Sequence, residues 1–298
     1  MVGRIVVGID GSEQSAAALD WAIARAELGR ASLALVNAYS VPPAVEFYGY
    51  TPGDSPLEWF GAYGEELVAA AAAHVKEVAP GVTCTQHVQM GSTAPTIAAV
   101  ATAEDMIVVG RRGLGAARSA VLGSVSNHLA THAPCPVVVI GEHNPIPTDG
   151  PVVVGVDGSE FGDVALRYAL TEAALRKTSV RAVTVTDLAT ALIPSDSEIV
   201  ARVEAHLEAE AAEIAQRSVD RASDNGHTTV PVESVIATGR PSAAILANAT
   251  DAQLIVVGSH GKGFLRRLFL GSTSRGVLHG ADRPVVIVDA PEVAEDQD

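Results

Sequence analysis

Aromatic side chains are scarce in this 298-residue chain, at 4%. Its core must therefore be built from Val, Ile, Leu and Ala, the material of a parallel sheet covered by alanine-rich helices. Cysteine is nearly missing as well: Cys84 and Cys135 are too few for a disulfide framework and fit a reducing cytosol. Although 48% of the residues are hydrophobic, no apolar run approaches the roughly 18 residues needed to cross a bilayer. Met1-Val2-Gly3 passes directly into strand-like Arg4-Ile5-Val6-Val7, which leaves no room for a signal peptide. Basic residues are outnumbered 20 to 35, for a net charge of −15. A nucleic-acid partner would meet repulsion at every phosphate. Anionic small ligands remain open, since local N–H donors outweigh a distant net charge. The expectation is a soluble cytoplasmic protein with neither nucleic acid nor membrane as partner.

What the chain does have is a glycine pattern written twice. Gly110-x2-Gly113-x9-Gly123-Ser124 returns 148 residues later as Gly258-x2-Gly261-x9-Gly271-Ser272. Each copy follows a short apolar run, Met106-Ile107-Val108-Val109 or Leu254-Ile255-Val256-Val257, that reads as a buried strand. Glycines there let the backbone turn sharply and approach a phosphate, and the following helix start offers N–H groups and a positive dipole end. The repeat extends further. Gly8-Ile9-Asp10-Gly11-Ser12 recurs as Gly155-Val156-Asp157-Gly158-Ser159, and Pro136-Val137-Val138-Val139-Ile140 answers Pro284-Val285-Val286-Ile287-Val288. The near-constant offset predicts two equivalent domains, 1–141 and 151–290, joined by a Pro-containing linker over 142–150 and followed by an acidic tail over 291–298.

Periodicity gives the same order of elements in each half. The first half reads as strand Arg4 to Ile9, helix Glu13 to Leu28, strand Ser32 to Ala38, helix Leu57 to Val78, strand Val82 to Gln89, helix Thr93 to Thr102, strand Met106 to Val109, helix Ser124 to His132 and a last strand. Ser12 is a candidate N-cap, although Ser15 stands where a capping box has an acidic residue. The second half reads likewise, with strands Val152 to Val156, Ser179 to Thr186, Val230 to Ala237, Leu254 to Val257 and Val285 to Val288 alternating with helices Phe161 to Arg176, Ser197 to Asn225, Pro241 to Ala249 and Ser272 to His279. Five strands alternating with helices mean an α/β fold: two tandem Rossmann-like domains, each an open parallel sheet with helices on both faces. In such sheets ligands bind at the carboxyl ends of the strands where the winding reverses. Gly8-Ile9-Asp10 and Gly110 occupy two such ends.

An aspartate closing the first strand, followed much later by G-x2-G-x9-G-[ST], resembles the ATP-binding branch of the universal stress protein family, and does so in both halves. The resemblance implies a sheet order of 3-2-1-4-5 and ATP with Mg2+ as cofactor. In its pocket Gly8, Asp10, Gly155 and Asp157 face the adenosine. Main-chain groups near Ala38 and Val185 meet the adenine edge. The loops Gly110, Arg111, Arg112, Gly113, Leu114, Gly115, Ala116 and Gly258, Ser259, His260, Gly261, Lys262, Gly263, Phe264 wrap the phosphates. After Gly123 and Gly271, the residues Ser124, Val125, Ser126 and Ser272, Thr273, Ser274 donate backbone and hydroxyl hydrogen bonds to the terminal phosphates. It further implies a homodimer and regulatory protein partners that the sequence does not name.

Blander readings stand beside these. Asp10 and Asp157 are also placed to cap helices through Ser12 and Ser159. The loop arginines also read as solvated charges. His128 and His132 have metal-ligand spacing on one helix, but no third ligand accompanies them. Cys135, between two prolines, reads as a small core or edge residue. Trp21 and Tyr168 fall in equivalent helices and read as packing. Phe47, Tyr48, Tyr50, Trp59 and Phe60 read as packing of a long loop, as a cover for the adenine pocket or as a dimer contact. The apolar fifth strands would be sheet edges seeking a partner. No P-loop signature and no pyrophosphatase loop is present. A regulatory ATP-binding protein is therefore the leading expectation. A weak ATPase or nucleotidyl-transferring switch is the alternative from the enzyme class, and a sensor of another adenine nucleotide such as cAMP is the third.

Overall fold

The computed structural model describes residues 2–40, 56–113, 122–141, 147–186, 197–223, 229–261 and 270–290. It divides into two units, Met1–His143 and Asn144–Asp298.

The first unit runs β1 (Arg4–Gly8), α1 (Glu13–Gly29), β2 (Ser32–Tyr39), α2 (Pro56–Val78), β3 (Cys84–Met90), α3 (Thr93–Val100), β4 (Met106–Gly110), α4 (Ser124–His132) and β5 (Val137–Ile140). Its strands pair in the order β3-β2-β1-β4-β5, all parallel. The inner strands carry uninterrupted Ile and Val because both faces are covered: Ile5, Val6, Val7, Ile107 and Val108 have no exposed surface. β3 alternates, because it is half-exposed along its length. The crossover from β3 to β4 carries the chain past β1, so the winding reverses between β1 and β4. That opens a crevice at their carboxyl ends.

The second unit repeats the plan with β6 (Val152–Gly155), α5 (Glu160–Arg176), β7 (Val180–Thr186), α6 (Ser197–Ser223), β8 (Val232–Thr238), α7 (Pro241–Ala247), β9 (Leu254–Gly258), α8 (Ser272–Gly280) and β10 (Val285–Val288). Its order is β8-β7-β6-β9-β10, again parallel. Among the described residues no helix is long and apolar enough to cross a membrane.

Several element ends differ from expectation for identifiable reasons. α3 stops at Val100 rather than Thr102. The Asp105 carboxylate accepts the Thr102 N–H at 2.7 Å and the Thr102 hydroxyl at 2.9 Å, which pulls the chain out of helical geometry. α1 runs on to Gly29 rather than Leu28 before turning on left-handed Arg30 (φ 53°), while α5 ends at Arg176 as expected and turns on Lys177 (φ 56°). α7 ends at Ala247 rather than Ala249, where the Asn248 side chain donates back to the Ala244 carbonyl.

Candidate functional site

The turn from first strand to first helix is built alike in both units. After β6, Gly158 takes φ of 77°, a conformation that any side chain would strain. The Asp157 Oδ1 atom then accepts the Ser159 N–H at 3.0 Å and the Ser159 hydroxyl at 2.5 Å. So oriented, Ser159 Oγ accepts the Gly162 N–H at 3.1 Å and caps α5. In the first unit Gly11 (φ 82°), Asp10, Ser12 and the Ser15 N–H repeat the arrangement. The Ser12 N–H, which the acidic residue of a capping box would accept, is accepted by Asp10 Oδ1 at 2.9 Å, and the Ser15 hydroxyl donates to the Ser12 carbonyl at 2.9 Å.

While Oδ1 serves the cap, Oδ2 faces the glycine loop. A Cβ on Gly261 would lie 2.6 Å from Asp157 Oδ2, and a Cβ on Gly113 would run into the Asp10 carboxylate. The second glycine of each frame is thus fixed by the aspartate across the crevice. The first glycine is fixed by the helix: a Cβ on Gly258 would lie 2.9 Å from the Phe161 carbonyl, and one on Gly110 would lie 3.0 Å from that of Gln14.

In the second unit these pieces enclose a cavity of about 360 Å³. Asp157, Gly258, His260 and Gly261 form one wall, and Gly271, Ser272, Thr273 and Ser274 at the start of α8 form another. Val183, Val185, Ile245 and Val257 supply an apolar side. Gly155, Asp157, Val185 and the loop and helix residues expected from the sequence are therefore brought together. Ser259 is the exception among the described ones. It is buried with its Oγ turned onto Asp289 Oδ1, at 2.7 Å, and it does not line the cavity. Lys262, Gly263 and Phe264, with Leu114, Gly115 and Ala116 of the first loop, lie outside the described residues, as do Phe47, Tyr48 and Tyr50.

The serines in the first turn of the helices after the loops need a correction. The hydroxyl of Ser274 donates to the Gly258 carbonyl at 2.6 Å, and that of Ser126 donates to the Arg111 carbonyl at 2.9 Å. A hydroxyl has one proton, so these two brace the loop from within rather than donating outward. Gly123 and Gly271 join them, their N–H groups donating to Arg111 and Ser259 carbonyls at 2.9 Å. Ser124 and Ser272, one residue on, begin the helices α4 and α8. Ala38, near the end of β2, is half-buried. Its neighbour Asn37 donates to the Ile9 carbonyl at 2.7 Å and ties the ends of β1 and β2.

The two loops differ in how they are held. In the first unit the Gln14 side-chain carbonyl accepts the Arg112 N–H at 2.6 Å. In the second, Phe161 stands at the corresponding place in α5, and its ring packs on the His260 imidazole with centroids 5.2 Å apart. Gln14, Phe161, Gly162 and Asp289 carried no motif signal. Only their equal offset from Asp10 and Asp157, for the first two, would have found them.

Burial, with Asp105 nearby, pushes the Cys135 thiol up to about 12, which leaves little nucleophilic thiolate. The His128 and His132 rings stack at 4.4 Å, and no group of three metal-ligating side chains occurs among the described residues. Trp21 is buried, Tyr168 is half-buried, and Trp59 lies 58% exposed.

Comparison with known proteins matches these features. The sequence profile of the Universal stress protein family fits twice, over residues 1–141 and 150–289. A universal stress protein of Mycobacterium tuberculosis is 33% identical over 294 residues, covering 95% of this chain and 96% of its own. A second from the same organism is 33% identical over 315 residues, covering 97% and 95%. Among solved structures, a universal stress protein from Archaeoglobus fulgidus superposes with a TM-score of 0.66 at 20% identity over 97% of both chains.

Proposed function

The chain belongs to the universal stress protein family, and on that premise we propose that it is a regulatory stress-response protein that binds ATP in each unit. Nucleotide occupancy then sets a conformation or assembly that other proteins sense. The observation that carries this reading is the cavity of the second unit, where a carboxylate, a glycine loop and a helix N-terminus converge beside an apolar wall. Its volume of about 360 Å³ falls within the range of small-molecule sites. Val183, Val185 and Ile245 suit a planar base. The start of α8 favours an anion, because its first N–H groups lack partners within the helix and the helix dipole is positive there. Mg2+ would ride on the phosphates, since no cluster of carboxylates among the described residues suits it alone. The first unit carries the same aspartate, glycine pair and helix start.

Calorimetry with Mg-ATP tests the reading. Two sites per chain are expected. Gly113→Val should remove the first and Gly261→Val the second, because each side chain would displace the facing aspartate. A chain that binds no ATP, or one site untouched by either change, overturns it.

A further inference from the structure

We propose that Asn37 is a positioning residue of the first pocket, holding the peptide from which Asp10 projects toward the nucleotide; this rests on the nucleotide reading above. Ile9 follows β1, and β2 grips it twice. The Ile9 N–H donates to the Val36 carbonyl at 2.9 Å, and the Asn37 carboxamide donates to the Ile9 carbonyl at 2.7 Å. The register of β1 on β2 ends at Gly8 and Val36, so the side chain carries the hold one residue further. A peptide unit is planar, and fixing its carbonyl fixes the direction of the Asp10 N–H as well. That N–H faces the Ser15 hydroxyl at 3.5 Å. Asn37 and Ser15 are both buried, at 6% and 5% exposure, so water does not compete for either contact.

Stability does not explain Asn37. Its Oδ1 atom has no hydrogen-bond partner among the described residues, and it faces α2, where a Cβ on Gly64 would come within 2.6 Å of it. A stranded buried acceptor destabilises a fold, and leucine would fill the same space without one. The orientation is forced, because only the amide nitrogen can face a carbonyl. The second unit is built without these supports. Its Val156 N–H donates to the Val183 carbonyl at 2.9 Å in the same way. At the shared offset of 147, however, Thr184 stands for Asn37 and Gly162 for Ser15. Thr184 is 3% exposed and its hydroxyl has no partner among the described residues, while Gly162 has no side chain to offer. The fold forms without an asparagine at this place, and what Asn37 adds is a fixed direction for Asp10. Preorganisation of this kind raises affinity by lowering the ordering cost of binding.

The experiment is calorimetry of the full chain carrying Gly261→Val, which leaves the first pocket to report. Asn37→Leu in that chain should weaken Mg-ATP about tenfold, the scale of one hydrogen bond. Adenosine, measured by displacement of Mg-ATP, should weaken by the same factor, because Asp10 faces that end of the ligand. Inorganic triphosphate, measured in the same way, should keep its dissociation constant. The ligand-free variant should melt within about 4 °C of its parent, since one bond and one stranded acceptor are lost together. Asn37→Thr, which installs the second unit's residue, should repeat the result and replaces leucine if the leucine variant does not fold. In the chain carrying Gly113→Val, Thr184→Val should leave Mg-ATP binding at the second pocket unchanged. Unchanged ATP affinity, a loss that adenosine does not share, or an equal loss for triphosphate overturns the proposal and leaves the nucleotide reading standing. A Thr184→Val chain weakened as much as Asn37→Leu does the same, since packing alone would then account for both. Absence of ATP binding before Asn37 is changed overturns the nucleotide reading of this pocket and the proposal with it.

Discussion

Asp10 and Asp157 show how one carboxylate serves two ends. Capping and ligand binding looked like rival roles in the sequence, but the cap occupies one oxygen and leaves the other for the proposed ligand. Oδ1 holds the capping serine while Oδ2 borders the loop glycine. Substitution separates the roles. Asp157→Asn keeps an Oδ1 that can accept from Ser159, so it should melt within about 2 °C of the parent. Asp157→Ala loses the turn and costs about 1 kcal/mol, or some 2–4 °C. Both should weaken ATP binding at the second site, because both lose the carboxylate charge. An Asn variant with full affinity would leave the aspartate a capping role alone. The aspartates were legible because each ends a strand and opens a repeated motif. Gln14 and Phe161 were not, since each meets its loop partner across roughly a hundred residues of chain and each has a different chemistry. Divergence between the copies hid the equivalence that the glycines revealed.

At the scale of elements, the strand and helix order could be read from apolar runs and glycines, because buried parallel strands advertise themselves as unbroken Val and Ile. Helix ends could not, because distant side chains decide them. Asp105 illustrates this: it ends α3 through Thr102 and clamps β1 through Arg4, whose guanidinium donates to its two oxygens at 3.2 and 2.6 Å. Burial pushes the Asp105 carboxyl up, but hydrogen bonds from Arg4 and Thr102 outweigh it and hold the group below the ordinary carboxylate range. A carboxyl depressed in the folded state stabilises fully above its unfolded value, near pH 4, and loses that contribution as pH falls toward its folded value. In the second unit Gln253 takes the position of Asp105 and donates to the Gly150 carbonyl at 2.6 Å, a bond with no charge to titrate. Asp105→Ala should therefore lower stability by about 2 kcal/mol at pH 7, with the deficit shrinking toward pH 3. The deficit of Gln253→Ala should stay constant over the same range. Urea titrations at the two pH values check both, and a pH-independent Asp105 deficit would remove the ion pair from the account.

At the scale of the molecule, the two units carry separate cores and separate ligand frames, and an accident of composition lets them be watched apart. Both tryptophans, Trp21 and Trp59, belong to the first unit. Trp21 is buried at 7% exposure in α1, so its emission follows unfolding of that unit alone. A ligand that binds only the folded state stabilises it by RT ln(1 + [L]/Kd), about 2.7 kcal/mol at a hundredfold excess over Kd. For a unit of this length that raises the melting temperature by roughly 5–10 °C. Saturating Mg-ATP should thus raise the melting midpoint seen by tryptophan emission in the parent chain. The rise should vanish in Gly113→Val, whose circular dichroism should still show an ATP-dependent shift carried by the second unit. Gly261→Val should keep the tryptophan shift, and the double variant should lose every response. If instead Gly261→Val abolishes the tryptophan shift while Gly113→Val preserves it, the first unit has no pocket of its own and draws its stabilisation from ATP bound in the second.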